Sequence, residues 1–260
     1  MRKLSIVVPS FNEKDNIVPL VDRIDKALGS IPHEIIFVDD SNDETPDVIA
    51  GLAKEKHYVR LKHRENKKGL ATAVLLGFKL AEGDYLVCMD ADLQHPPELL
   101  LPMYVAMETG ADICIPSRLI EGGSDGGLNW YRKLISGTAR LMGQVLLPCL
   151  RSISDPTGGL FIVKRSVASE ADMRPVGWKI MVELLATARY SRIIEIPYEF
   201  KERVAGESKI DISATLQYIE QCIGLRRRMV RNKNVVVKRW TCFKLGKMVD
   251  RYMKSKGISR

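Results

Sequence analysis

The chain lacks the usual signatures of cysteine and histidine chemistry. Its five cysteines, Cys88, Cys114, Cys149, Cys222 and Cys242, are odd in number and widely spaced, with no Cys-x-x-Cys pair. That argues against a cysteine zinc site and against a disulfide framework. Cys88 and Cys114 lie in apolar runs and read as buried thiols of a reducing compartment. The four histidines are scattered and form no His-Glu-x-x-His pattern. His95, beside an acidic cluster, reads as a structural neighbour rather than a ligand. No Ser/His/Asp or Cys/His spacing suggests a nucleophile with its base. The missing Gly-x-x-x-x-Gly-Lys-Ser/Thr loop disfavours a P-loop NTPase. No apolar run approaches the ~18 residues of a membrane span. The stretch Leu134–Leu150 is broken by Arg140, Gly143, Gln144 and Pro148, and the opening MRKLSIVVP is too short for a signal peptide. No internal repeat or low-complexity segment is visible.

What is present is an ordinary globular composition, 260 residues with 45% apolar content, and an uneven charge. Residues 226–260 hold thirteen Lys/Arg and one acid, Asp250, a net +12 against +8 for the whole chain, which leaves −4 on the first 225. Such a basic tail points to an anionic partner, nucleic acid or a membrane surface. Along the body, apolar runs alternate with helical spacing. Strands are expected at Leu4–Val8, Glu34–Val38, Tyr58–Leu61, Tyr85–Met89, Ala111–Ile115, Leu160–Lys164 and Ile193–Phe200. Helices are expected at Asn16–Leu28, Pro46–Lys54, Lys68–Ala81, Pro97–Thr109, Trp130–Leu150, Trp178–Ala188 and over 211–230. The alternation predicts an α/β fold with a mostly parallel, doubly wound sheet. The polar strand ends Pro9–Glu13, Asp39-Asp40 and Asp90–Gln94 then share one edge and build one crevice.

The acidic cluster CMDADLQHP carries the strongest chemical signal. If the chain stays extended there, Asp90, Asp92 and Gln94 point the same way and offer two carboxylates and an amide oxygen. That set suits a hard cation, Mg2+ or Mn2+, and such a metal commonly clamps phosphates. Basic residues should surround it. Arg118 follows the strand Ala111–Ile115, and Arg132 and Ser136 lie four apart on one helix face. Together they could cradle a phosphate. Arg203 and Lys209 flank Gly206 in a polar loop with the look of a cover. On the helix over 211–230, Ile212, Leu216, Ile219, Ile223 and Val230 form a narrow stripe, followed by Arg226, Arg227, Arg228 and Arg231. The stripe is the pattern of a helix lying in a membrane interface, or equally of a helix packed on the sheet.

SIVVPSFNE, VDDSNDET, MDADLQHPPE and SRLIEGG together resemble family 2 glycosyltransferases of the GT-A fold. NWYRKLIS, DPTGGLF and ERVAGESK narrow the resemblance to dolichyl-phosphate mannose synthases, over about residues 4–210. The resemblance implies inverting transfer of mannose from GDP-mannose to dolichyl (polyprenyl) phosphate. It implies that Pro9, Phe11, Glu13, Val38 and Asp40 hold the nucleoside, and that Asp90, Asp92 and Gln94 hold the metal on the diphosphate. Arg203 and Lys209 would grip that diphosphate, with Lys179 close to sugar and phosphates. Arg118, Arg132 and Ser136 would bind the acceptor phosphate. Asp92, Arg118 and Arg132 are the residues on which catalysis would chiefly depend. The phosphate acceptor is already an anion near neutral pH, since its second pKa is about 6, so no strong base is needed.

Two units follow from this reading. Residues 1–210 form the GT-A domain, and 211–260 form an amphipathic, basic, membrane-interacting segment. The expected site of action is the cytoplasmic face of a membrane, without a transmembrane helix and with small membrane-protein subunits as candidate partners. A glucosyltransferase using UDP-glucose is the alternative enzyme. A nucleic-acid-binding module is the alternative of another class, disfavoured by the acidic body, so nucleic acid is not an expected partner.

Overall fold

The computed structural model describes residues 1–65, 69–127, 130–174, 179–200 and 212–258, with backbone alone for 130–136 and 212–216. The strands are β1 (Leu4–Ser10), β2 (His33–Asp39), β3 (Val59–His63), β4 (Tyr85–Cys88), β5 (Ile113–Ser117), β6 (Phe161–Lys164), β7 (Arg192–Pro197) and β8 (Val236–Arg239). The helices are α1 (Lys14–Leu28), α2 (Thr45–Glu55), α3 (Leu70–Leu80), α4 (Leu100–Glu108), α5 (Trp130–Leu146), α6 (Arg165–Glu170), α7 (Ile180–Thr187), α8 (Ile212–Arg228) and α9 (Cys242–Lys256). All eight strands form one sheet in the order β3-β2-β1-β4-β6-β5-β7-β8.

Period-two alternation sends the strand side chains into two layers. Leu4, Ile6 and Val8 of β1, with Ile35 and Phe37 of β2, pack with α1, α2 and α4. Val7, Ile36 and Val38 point the other way, into the cluster that holds α3, α7 and the inner face of α8. α1 shows how sequence makes one of these contacts. Its Ile17, Leu20, Val21, Ile24 and Leu28 recur at helical spacing and are all buried. Pro19 lies within the helix one turn past its start, where it forfeits the N–H bond to the Asp15 carbonyl.

Several expectations change in detail. β6 was legible as a strand, but it runs antiparallel to both β4 and β5 and separates them. The expected helix to Leu150 ends at Leu146, and Pro148–Leu150 is a short 3-10 turn. β4 stops at Cys88, so the extended spacing invoked for Asp90, Asp92 and Gln94 does not hold. Residues 91–93 form a turn, Leu93 has φ 59°, and Gln94 N–H donates to Asp92 Oδ1 at 3.1 Å. A carboxylate that accepts from the backbone two residues on stabilises a turn over a strand.

The C-terminal segment packs on the rest of the fold. β8 pairs in parallel with β7, and α9 packs against the first core layer through Leu245, Met248 and Tyr252, beside buried Trp240. α8 buries Tyr218, Gln221, Cys222 and Leu225, a face offset from the expected stripe, while Ile223 is 50% exposed. The side chains of Ile212 and Leu216 lie outside the described residues. No helix among the described residues is long and apolar enough to cross a membrane.

Candidate active site

β2, β1 and β4 are adjacent and parallel, so their C-terminal ends meet at one edge. Because β6 is antiparallel, its preceding turn, residues 154–160, arrives at that same edge, beside the end of β5. The reversed strand is what brings the Asp-Pro-Thr-Gly-Gly turn to the acidic cluster.

At the first two strand ends the backbone is stitched tightly. Asn12, at φ 57°, accepts from Asn42 N–H at 3.0 Å, and its own N–H donates to Ser41 Oγ at 2.8 Å. Asp39 is fully buried and accepts from Ser10 Oγ at 2.7 Å, Ser41 Oγ at 2.6 Å and Ser41 N–H at 3.1 Å. His63 Nδ1, 2.8 Å away, is a fourth donor, since an ionised carboxylate only accepts. Asp40 is held by both arms of Arg64, with Nε to Oδ1 at 2.6 Å and Nη2 to Oδ2 at 2.5 Å. Of the residues expected at the nucleoside, Pro9 and Val38 are register partners across β1 and β2. Val38 is fully buried in the second layer, whereas Phe11 is 39% exposed. Glu13 Oε2 accepts from Asn16 Nδ2 at 2.6 Å at the start of α1.

At the end of β4 the environment is more open. The Asp90 side chain is 31% exposed, and its Oδ2 lies 3.8 Å from His95 Nδ1. Gly159 closes over it: a Cβ there would lie 2.5 Å from Asp90 Oδ2. Asp92 is buried, and Gln94 is half-buried beside it. His95 is buried against Tyr198, stacked at 5.9 Å, and Phe200, edge-on at 5.7 Å. Burial lowers its pKa to about 4, an effect that the Asp92 carboxylate opposes, so the ring is neutral near pH 7.

Arg118 joins this edge to the β6 turn. Its Nε donates to Asp155 Oδ2 at 2.7 Å and its Nη2 to Asp155 Oδ1 at 3.0 Å, while the guanidinium lies 5.2 Å from the Phe200 ring centre. This chelate uses two of its five N–H donors. Burial pulls the guanidinium pKa down and Asp155 more than reverses that, so Arg118 stays charged. Lys179 Nζ donates to Thr157 O at 2.7 Å. Burial is the largest influence on Lys179 and lowers its pKa to about 8, against the pull of the Asp155 and Asp90 carboxylates.

The structure thus brings Asp90, Asp92, Gln94, Arg118 and Lys179 to one strand edge, next to Pro9, Phe11, Glu13 and Asp40. Arg132 and Ser136 lie on the backbone of α5, and their side chains lie outside the described residues, as do Arg203 and Lys209 altogether. Sequence reasoning assigned no role to Asp155, Gly159 or Arg64. The signal for the first two was a breaker-rich acidic turn; their place opposite Arg118 and Asp90 depends on the direction of β6.

A divalent cation can be tested against this donor set. Among the described residues, no group of three or more His, Cys, Asp or Glu forms a metal cage. The expected ligands are two carboxylates and an amide oxygen, and Mg2+ is commonly bound by one or two carboxylates with substrate phosphates and water completing the shell. The partly open Asp90 carboxylate beside the glycine cradle fits that kind of site.

Residues 5–171 match the model of Glycosyl transferase family 2. The dolichol-phosphate mannosyltransferase of Pyrococcus furiosus is 39% identical over 86% of this chain, which spans 64% of that protein's length. The dolichol-phosphate mannosyltransferase of Saccharomyces cerevisiae is 38% identical over 84% of each chain. The polyprenol monophosphomannose synthase of Mycolicibacterium smegmatis is 32% identical over 89% of this chain and 90% of that one. Among solved structures, glucosyl-3-phosphoglycerate synthase from Mycobacterium tuberculosis in complex with UDP superposes with TM-score 0.63 at 19% identity, covering 87% of this chain and 80% of that one. That likeness concerns the fold, which is GT-A. With the family's model covering most of the catalytic sheet and relatives of at least 32% identity over most of its length, the chain belongs to glycosyl transferase family 2.

Proposed function

We propose that the protein transfers mannose from GDP-mannose to the phosphate of dolichyl (polyprenyl) phosphate, with inversion at the sugar. The observation that carries this reading is the naming of relatives at 32–39% identity as dolichol-phosphate mannosyltransferase or polyprenol monophosphomannose synthase. The site chemistry supports it. The acceptor is already an anion, so the barrier lies in joining two anions and releasing a diphosphate. In this reading Pro9, Phe11 and Glu13 line the nucleoside, with buried Val38 and the Arg64-held Asp40 shaping the strand end behind them, and Lys179, Arg203 and Lys209 lie on the donor diphosphate. Arg118, Arg132 and Ser136 receive the acceptor phosphate. Asp90, Asp92 and Gln94 would hold Mg2+ or Mn2+. When bound, the ion supplies charge neutralisation on the leaving diphosphate. The Asp155 chelate holds the Arg118 guanidinium in place, and neutral His95 packs beside Asp90 without adding charge.

The acceptor lives in a bilayer, and the reading therefore includes docking at a membrane's cytoplasmic face, aided or not by small membrane-protein subunits. Leu141 and Val145 of α5, 62% and 61% exposed, and Ile223 of α8 support this, with exposed Arg226 and Arg227 nearby on α8. Flotation on anionic liposomes tests it: Leu141→Glu with Ile223→Glu should reduce binding, and unchanged binding refutes the docking face. Deleting residues 226–260 would strip β8 and α9 from the fold and is a poorer test.

Mass-spectrometric detection of lipid product tests the activity. Protein, Mn2+ and a polyprenyl phosphate are mixed with GDP-mannose or UDP-glucose. Mannosyl lipid supports the reading, glucosyl lipid replaces the donor, and neither product in native membranes refutes both.

A further inference from the structure

Arg239 lies at the end of β8, an edge strand with β7 between it and β5. It is nevertheless connected to the candidate site by an unbroken set of polar contacts. Its Nε donates to Glu195 Oε2 at 2.9 Å, and its Nη2 donates to Ser152 O at 2.9 Å. Glu195 is fully buried in β7. Its other oxygen, Oε1, accepts from Ser154 N–H at 2.7 Å and from Ser154 Oγ at 2.6 Å. Ser154 Oγ lies 2.6 Å from Ser117 Oγ, which accepts from Leu119 N–H at 3.1 Å.

An ionised carboxylate only accepts, which fixes the direction of the whole chain. Ser154 O–H donates to Glu195, Ser117 O–H donates to Ser154, and Leu119 N–H donates to Ser117. The residues on both sides of Arg118, and the residue before Asp155, therefore hang from one buried carboxylate. Among the described residues, the ion-pair partner of that carboxylate is Arg239.

We infer that Arg239 is a positioning residue for the Arg118–Asp155 chelate, acting through Glu195 and Ser154. The inference rests on the reading of Arg118 as the acceptor-phosphate residue. The Arg239 side chain is itself 54% exposed, so its removal opens no core cavity. Its influence lies in fixing the Glu195 side chain: the Arg239 Nε holds Oε2, which leaves Oε1 aimed at the Ser154 N–H and hydroxyl. Without that grip the buried carboxylate loses its ion-pair partner and its fixed orientation, and the two loops lose their common anchor. The second arm of Arg239 grips the Ser152 carbonyl directly, a planar two-nitrogen geometry that a lysine ammonium does not reproduce.

The test uses the full chain carrying Arg239→Ala, with Glu195→Gln as a near-isosteric second variant should the first fold poorly. Hydrogen exchange is read at the Ser154 and Leu119 amides, with the Cys114 and Ile194 amides of the sheet interior as controls. Both loop amides should exchange faster while the controls hold. Acceptor kcat/KM should fall about tenfold, as for a small misplacement of a binding group, with GDP-mannose KM unchanged. Arg239→Lys should recover part of the loss. In a Ser154→Ala background, Arg239→Ala should cost less than it does alone, because the two substitutions share the Ser154 hydroxyl link, while the Ser154 N–H and Ser152 carbonyl contacts remain. Unchanged exchange at both loop amides overturns the inference, as does a double variant whose loss is the full product of the single losses. Absence of mannosyl transfer by the unsubstituted protein would refute the activity reading instead, and the exchange data would still decide the coupling.

Discussion

Two acidic strand ends, Asp39-Asp40 at the end of β2 and Asp90-x-Asp92 after β4, look alike as sequence and differ in the fold. Asp39 is fully buried with four donors around it, and Asp40 is chelated by Arg64. Asp90 keeps a partly open carboxylate under Gly159, and the cation near it, Lys179, is titratable. A carboxylate saturated by protein donors holds the loops together. One that is partly open beside a glycine retains capacity for a ligand. The difference lies in the neighbours, and those come from distant segments.

The largest expected effect is on stability at the β2 end. Asp39→Ala strands the Ser10 and Ser41 donors in the interior, takes the partner from the partly exposed His63, and should cost about 3–5 kcal/mol, read by urea unfolding. A loss below about 1 kcal/mol would remove the contrast with Asp92. At the β4 end the effect should fall on rate instead. Asp92→Ala is expected to lower transfer by about 10²- to 10³-fold, the usual cost of losing a group that stabilises developing charge. Its unfolding free energy should change by only about 1 kcal/mol, and equal damage to stability and rate would merge the two acidic ends into one class.

Gly159→Ala sharpens the comparison further. The new methyl must displace the Asp90 carboxylate, since Cβ would sit 2.5 Å from Oδ2. Mn2+ affinity, measured by electron paramagnetic resonance titration, should weaken about tenfold, as when a metal ligand is misoriented. Unchanged affinity would show that Asp90 does not hold the ion.

The smallest effect is a pH dependence. Lys179 is charged below about 8 and loses its proton above that, whereas an unburied lysine holds it to 10.5. Attraction for an anionic diphosphate is therefore present at pH 7 and fades as pH rises through about 8. The donor KM should climb over that window, and Lys179→Arg should flatten the profile, because arginine remains charged throughout. A wild-type profile that is already flat would place Lys179 away from the diphosphate.

Much of the architecture was legible because burial imposes periods. The strands β1, β2, β4, β5 and β7, and the helices between them, follow from apolar alternation and 3.6-residue spacing. β8 escaped notice because its residues Val236-Val237-Lys238-Arg239 sit in a basic run and pack at the sheet edge, where one partner strand suffices. The buried face of α8 was misjudged because Tyr218 and Cys222 are weakly apolar and Gln221 is polar, all buried by packing against α5 and α7. The extended reading of Asp90–Gln94 failed at Leu93, whose left-handed backbone no period could announce.

By itself the sequence determined which residues are apolar at which period, and hence the elements, the strand ends and the acidic and basic residues placed on them. It also carried the family's motifs. The tertiary structure alone decided that β6 runs backwards and that β8 docks on β7. Those two choices set Asp155 against Arg118, Gly159 against Asp90, and Arg239 behind both. The physical reason is range. Periodicity is a local consequence of backbone geometry, whereas contacts between residues 37 to 44 positions apart depend on strand order and direction, which are settled by packing the whole sheet.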